Sequence, residues 1–120
     1  HELQSLMFAY DVSVWKSAGR LEEALGRLAP LQARMDQLQA PHTHELVRLK
    51  ETEAMVLAAG IILCTSLART ESRLSHFRED FDARDDQNWM DWIDVMEEGG
   101  EPVLARTPIP TPLHPVAPMT

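Results

Sequence analysis

At 120 residues the chain can hold one domain with one modest core. Its net charge of −8 argues against nucleic acid and anionic membrane surfaces as partners. The lone cysteine, Cys64, excludes an intrachain disulfide, so no oxidising compartment is implied.

The chain begins His1-Glu2 rather than with a basic region before an apolar run, so no signal peptide is read. The missing initiator Met points to a fragment or a processed piece. Leu3, Leu6, Met7, Tyr10 and Val14 recur at helical steps, which predicts a first helix near 2–12 with one apolar stripe. Trp15 follows and is expected to anchor the core, where an aromatic ring gains most.

Ser17 can cap a second helix near 18–39, with Glu22 and Glu23 early enough to favour its N-terminal dipole. Its stripe is Leu21, Leu25, Leu28, Leu31, Met35 and Leu38, the spacing of a bundle seam. Pro30 interrupts it. The stripe keeps its phase across the proline, so a kink is expected rather than two helices.

Ala40-Pro41-His42 reads as a turn, with Thr43 as the next N-cap and Glu45 in the first turn. The third helix, near 43–72, is the longest. From Ala54 to Ala68 it is apolar except for Gly60, Thr65 and Ser66. Such a run is shorter than the ~20 residues that span a bilayer. A helix apolar all round must be covered all round, and two partner helices cannot do that alone.

The predicted fold is therefore mainly α: an antiparallel three-helix bundle over 1–73. Residues 74–120 add a charged return segment, a small β-hairpin and an extended Pro-rich tail, all packed on the same single domain. Trp92–Met96 and Val103–Arg106 flank Gly99-Gly100, which gives the hairpin. Six of the eight prolines lie in 102–120, which makes that tail extended and coreless.

The densest signal lies between the long helix and the hairpin. Residues 69–89 hold four arginines, one histidine and six acids. Arginine's planar fork and the carboxylates' paired oxygens suit a charge network that holds chain where no apolar core reaches. Arg69, Glu71, Ser72, Arg73, His76, Arg78, Asp80, Phe81, Arg84, Asp85, Asp86 and Trp89 carry the pattern. By composition alone the stretch also fits a solvated linker.

The order of these residues resembles a segment of the C-terminal helical domain of the succinate dehydrogenase and fumarate reductase flavoprotein subunits. That family also takes in L-aspartate oxidase and adenylylsulfate reductase. Its pattern is Arg-x-Glu-Ser-Arg-Gly-Ala-His-x-Arg-x-Asp-(Tyr/Phe)-Pro-x-Arg-Asp-Asp-x-x-Trp. Here Leu74-Ser75 replaces Gly-Ala, and Asp82 replaces Pro. With the glycine gone, the backbone at Leu74 is expected to suit a residue with a side chain.

The resemblance implies a parent oxidoreductase that passes a hydride between FAD and a dicarboxylate, or does analogous two-electron chemistry. It implies that FAD and the catalytic residues belong to the parent's larger domains. Neither GxGxxG nor GxxxxGK[ST] occurs here. No catalytic, cofactor-binding or metal residue is assigned to this chain, and the motif residues are read as packing residues. Trp89 and Phe81 would anchor the return segment. Arg73, Arg78 and Arg84 would pair with Asp80, Asp85 and Asp86. The implied partners are the flavin-binding body of the same polypeptide and an iron–sulfur subunit. The implied location is cytoplasmic, at the inner face of a membrane through partner subunits.

Other readings stay open. The chain could be a stand-alone helical interaction module whose apolar third helix binds a partner or pairs two copies as a homodimer. His42, His44 and Glu45 could supply metal ligands if a loop and a third ligand brought them together. Ser72 and His76 stand four apart, within hydrogen-bond reach if the segment were helical, but a nucleophile also needs an orienting acid and an oxyanion hole. Cys64 reads as a buried, inert thiol.

Overall fold

The structure is a computed structural model that describes residues 1–35 and 37–110. In chain order it has α1 (Glu2–Met7), α2 (Tyr10–Ser13), α3 (Ala18–Met35), α4 (Thr43–Ala68), α5 (Asp86–Trp89), β1 (Asp91–Glu98) and β2 (Glu101–Pro108).

Two long helices and two short ones stand where three long helices were expected. The first predicted helix breaks at Phe8-Ala9, where Ala9 takes an extended backbone and its carbonyl starts α2. The break turns the stripe. Leu6 and Val12 enter the core, whereas Tyr10 and Val14 face solvent. A straight helix would have kept Tyr10 under Leu6 and Met7.

α3 and α4 form the centre of the molecule. Leu25 and Leu28 line one cleft with Ile61 and Cys64, while Met35 lines another with Leu49 and Thr52, so the two helices run antiparallel. Leu21, Ala24, Leu28 and Leu31 from α3 are buried with Val56, Ala59 and Leu63 from α4. Burying a leucine side chain of this kind contributes roughly 2 kcal/mol. Leu28 lies over Gly60, whose hydrogen leaves 3.6 Å to the leucine methyl from where a Cβ would stand.

α3 runs unbroken through Pro30, which is exposed. It ends at Met35, and Leu38, counted in its stripe, lies beyond the helix and is exposed. Its first turn carries no acid, since Glu22 and Glu23 come too late. His42, not Thr43, is the N-cap of α4, and it makes no side-chain cap bond.

α4 stops at Ala68, four residues short of the expected end, because Arg69 turns extended. At 26 residues it is long and apolar enough to cross a membrane by length and composition, which its apolar half alone was not expected to be. In this fold one of its sides packs on α3. Met55, Leu57 and Ile62 on other sides are each about half exposed, and Cys64 is partly exposed rather than buried. An all-round apolar helix is thus covered on one side by this chain.

The hairpin pairs β1 and β2 antiparallel, with Val95 opposite Leu104 and Glu98 opposite Glu101. Gly99 and Gly100 have φ of +64° and +89°, the two left-handed residues that a tight hairpin turn requires. Its tip, Gly100 to Pro102, leans over Leu25, Leu28 and Leu57 on the α3–α4 pair. Both strands are longer than expected. Pro102 and Pro108, assigned to the extended tail, lie in β2. The rest of that expectation, residues 111–120, lies outside the described residues.

Candidate functional site: a buried charge knot at the helix ends

Residues 69–85 form a loop rather than the last turns of α4, and the short α5 closes the segment. Hydrophobic burial is scarce there, and charged groups hold it through directed bonds. Two centres organise it.

The first centre is Glu71, whose side chain is fully buried. Arg73 grips it with two bonds, Nε to Oε1 at 2.8 Å and Nη2 to Oε2 at 3.0 Å. Arg69 Nη1 donates to Oε1 at 2.6 Å, and the Asp85 backbone N–H donates to Oε2 at 2.9 Å. Burial pushes the Glu71 carboxyl up, but these four donors outweigh it and hold it below its ordinary value. The same contacts hold Arg73 further into its charged form, the bond to Glu71 contributing most.

Arg73 also reaches Asp86 Oδ1 at 2.6 Å, and Arg84 Nε donates to the same oxygen at 2.7 Å. Buried carboxylates and guanidiniums thus alternate, which offsets the cost of taking each charge out of water. Trp89 is buried beside them. Its Nε1 donates to Thr70 Oγ1 at 3.0 Å, and the guanidiniums of Arg69 and Arg106 lie 5.0 and 4.0 Å from its ring centre.

The second centre is Arg78, whose side chain is 1% exposed. Its Nε and Nη2 donate to the two oxygens of Asp80 at 2.7 and 2.6 Å. Its Nη1 donates to the carbonyls of Ser66, Leu67 and Arg69 at 2.9, 3.0 and 3.3 Å. Those carbonyls belong to the open C-terminal end of α4, where a cation meets the negative end of the helix dipole. Asp80 in turn accepts the Ala18 N–H at 2.9 Å, at the start of α3. The carboxylate therefore sits at the positive end of that helix, the place expected for Ser17. Arg78 holds the Asp80 carboxyl down to about 2.

Backbone bonds fasten this loop to the chain before α3. Lys16 N–H donates to the Phe77 carbonyl, and Glu79 N–H donates to the Lys16 carbonyl. Trp15 is not in the core: it lies against Phe77, ring centres 4.7 Å apart, and its Nε1 donates to Glu79. Ser72 Oγ accepts the Arg78 N–H at 2.8 Å and donates toward the Phe81 carbonyl, also at 2.8 Å. That seat commits Ser72 to the backbone.

His76 pairs with Arg73 through both backbone bonds of a tight turn. Because the segment is not helical, Ser72 and His76 do not stand one turn apart. Burial, then the nearby Lys16, hold the imidazole below its ordinary pKa. Leu74, in the same turn, has φ +53° and is 99% exposed. The left-handed backbone that a glycine would take is thus kept, contrary to the expectation that it would adapt to a side chain.

Two expected roles are corrected. Asp85 makes no ion pair among the described residues; it caps α5, accepting from Asn88 N–H at 3.1 Å and Asn88 Nδ2 at 2.8 Å. Phe81 is 41% exposed and lies against the Arg78 guanidinium at 5.1 Å rather than anchoring the segment in a core. Glu71 as the hub, and the contributions of Lys16, Trp15 and Arg106, were not foreseen. The spacing Arg69-x-Glu71-x-Arg73 could have singled out Glu71, since one acid flanked by two forks suits a shared carboxylate. No group of three metal-ligating side chains occurs among the described residues, and His42, His44 and Glu45 lie at the exposed start of α4.

A family described as "Fumarate reductase flavoprotein C-term" matches residues 1–119. Over 84 residues the chain is 36% identical to one of the subunits of the CoM/CoB fumarate reductase of Methanothermobacter marburgensis, covering 67% of this chain and 15% of that protein. It is 37% identical over 87 residues to the flavoprotein subunit of the 8-methylmenaquinol:fumarate reductase of Wolinella succinogenes, covering 67% and 14%. The fold matches FrdA of E. coli quinol fumarate reductase with a TM-score of 0.84 and 22% identity, over 97% of this chain and 21% of that one. The chain therefore spans about one seventh of the curated relatives named here. It belongs to the fumarate reductase flavoprotein C-terminal family.

Proposed function

We propose that the chain is the C-terminal helical domain of a FAD-dependent oxidoreductase of the succinate dehydrogenase/fumarate reductase type, and that its role there is structural. The observation that carries this reading is the charge knot. Glu71, Asp86, Arg73 and Arg78 spend their bonds on each other and on helix ends, so holding one loop shape is what they accomplish. None of these four points a free acid, base or nucleophile at a substrate cavity.

The described residues do not fit FAD. Its pyrophosphate needs a strand, a glycine turn and a helix N-terminus in sequence, whereas the strands here form a hairpin and Gly19, Gly26 and Gly60 lie inside helices. The flavin belongs in this reading to the body of the same polypeptide, together with the dicarboxylate chemistry. An iron–sulfur subunit, and a cytoplasmic place at the inner face of a membrane through it, complete the proposal.

Purified residues 1–120 are expected to show no flavin absorbance, and neither fumarate reduction nor succinate oxidation with artificial electron carriers. Stoichiometric FAD in that preparation would overturn the reading. The half-exposed Met55, Leu57 and Ile62 favour a second reading, a free interaction module that pairs two copies. The coding sequence before His1 separates the two. A dinucleotide-binding glycine segment there supports the flavoprotein, and an immediate start codon supports the module.

A further inference from the structure

His76 stands at a seam between two stretches of chain, the loop after α4 and the segment that leads into α3. Lys16 N–H donates to the Phe77 carbonyl at 3.2 Å, and Glu79 N–H donates to the Lys16 carbonyl at 2.9 Å. Trp15 adds its ring contact with Phe77 and its bond to Glu79. The pairing is an isolated bridge, Lys16 beside Arg78, and no sheet extends it. So few bonds can open while the helices stay folded.

The charges that face the His76 ring are of one sign. Its Nε2 lies 3.4 Å from the Arg69 carbonyl, and Arg78 Nη1 donates to that same oxygen at 3.3 Å. Lys16, nine-tenths buried, faces the ring from across the seam. The acids of the knot are turned to other partners. Glu71 holds Arg69 and Arg73, Glu79 holds Arg20 and Trp15, and Asp80 holds Arg78 and the Ala18 N–H.

His76 bonds Arg73 through its own N–H and carbonyl, at 2.9 and 2.8 Å, so the ring moves away only if that tight turn shifts. A neutral imidazole can donate its Nε2 proton to the Arg69 carbonyl and adds no charge to the seam. A protonated one becomes a further cation beside Lys16, Arg69 and Arg78. Burial first, and then Lys16, oppose that proton.

We propose that the bonds between Lys16 and residues 77–79 form a pH-sensitive clasp, which opens when His76 takes up a proton and faces Lys16 as a like charge. The rest of the knot stays closed. Asp80, held down to about 2, and Glu71, held below its ordinary value, keep their charges where a histidine titrates. The clasp thus has one titrating side and one that does not titrate with it, and acid frees the entry to α3 before it unfolds the chain.

Amide hydrogen exchange of the full-length protein tests this, read by mass spectrometry and corrected for the intrinsic effect of pH on exchange. Residues 14–18 and 76–80 are expected to exchange through a smaller opening than residues 61–65, around the buried Leu63, and at a rate that low urea does not change. From about pH 7.5 to about pH 5 that opening is expected to become at least about fivefold more favourable. His76→Gln keeps a donor for the Arg69 carbonyl but takes no proton, and should hold the opening constant over this range. Lys16→Met removes the charge across the seam and should make the response smaller, which serves as the test should His76→Gln not fold.

Protection at the seam equal to that of residues 61–65 would mean that the seam opens only with the whole chain, and would overturn the proposal. A seam that does not respond to pH, or a response that survives undiminished in either variant, would overturn it as well.

Discussion

Arg78 and Asp80 face each other through two parallel hydrogen bonds, and each also closes the end of a different helix. Arg78 takes the last carbonyls of α4, and Asp80 takes the first N–H of α3. One pair, its arginine buried and its carboxylate partly in solvent, thus faces two opposite helix dipoles at the point where the helices come together.

Removing either partner leaves the other uncompensated. Asp80→Ala, which takes the carboxylate from the buried Arg78, is expected to lower the unfolding free energy by about 3–5 kcal/mol, as for other buried charges left unpaired. Arg34 bonds Glu2 at 3.0 Å with both side chains more than half exposed. Arg34→Ala is expected to cost under about 1 kcal/mol. Urea unfolding of both variants reads the difference, and equal small effects would reduce the knot to a solvated charge run.

Acid stability follows from Asp80. Its folded pKa of about 2 lies below the ordinary 3.8. A carboxyl depressed in the folded state binds protons more readily when unfolded, so its stabilisation is present above the ordinary value. It is lost as pH falls through about 2. Asp80→Asn is expected to flatten stability against pH between about 4 and 2, measured by chemical unfolding at a series of pH values.

His76 acts at higher pH with the same sign. Its folded pKa is depressed, so the unfolded chain takes up a proton first as pH falls below the ordinary 6.5. Stability should fall with it, and His76→Gln should remove that slope. A His76→Gln protein that keeps the slope would assign it to another histidine.

Leu74 holds a left-handed backbone at φ +53° with its side chain in solvent. A side chain in that region costs roughly 1–2 kcal/mol, part of which glycine returns through a more flexible unfolded chain. Leu74→Gly is expected to raise stability by about 0.5–1 kcal/mol, read as a higher melting temperature. Loss of stability would mean that the leucine side chain has a contact that the turn geometry hides.

Gly60 offers the opposite exchange. A Cβ there would meet Leu28 at 3.6 Å, an ordinary contact. Gly60→Ala is expected to stabilise by about 0.5–1 kcal/mol through helix propensity. A destabilised variant would show the α3–α4 seam to be tighter than this spacing.

The long helices, the glycine turn and the motif were legible because each is a local pattern. Leu21 to Leu31 keeps helical phase, Gly99-Gly100 suits only a few turns, and the order of charges from Arg69 to Trp89 is dense enough to be specific. Direction was not legible. Nothing in the spacing of Leu6, Met7, Tyr10 and Val14 says that the chain breaks at Ala9 and turns Tyr10 outward. Glu71, Asp85 and Asp86 look alike in sequence. Only the fold makes Glu71 a buried hub, Asp85 a helix cap and Asp86 a shared acceptor. Trp15 was assigned to the core by its ring, but its indole N–H found Glu79 at the rim.

The bond from Ala18 to Asp80 spans 62 residues of chain. It is favoured once α3 and α4 have met, because their packing brings the start of α3 beside the loop that follows α4. Closing so long a loop early would cost entropy that one pair cannot repay. The clasp is therefore expected to form late in folding, after the transition state. Weakening it should leave the refolding rate nearly unchanged and speed unfolding instead, so the same pair that joins the helix ends sets the lifetime of the folded chain.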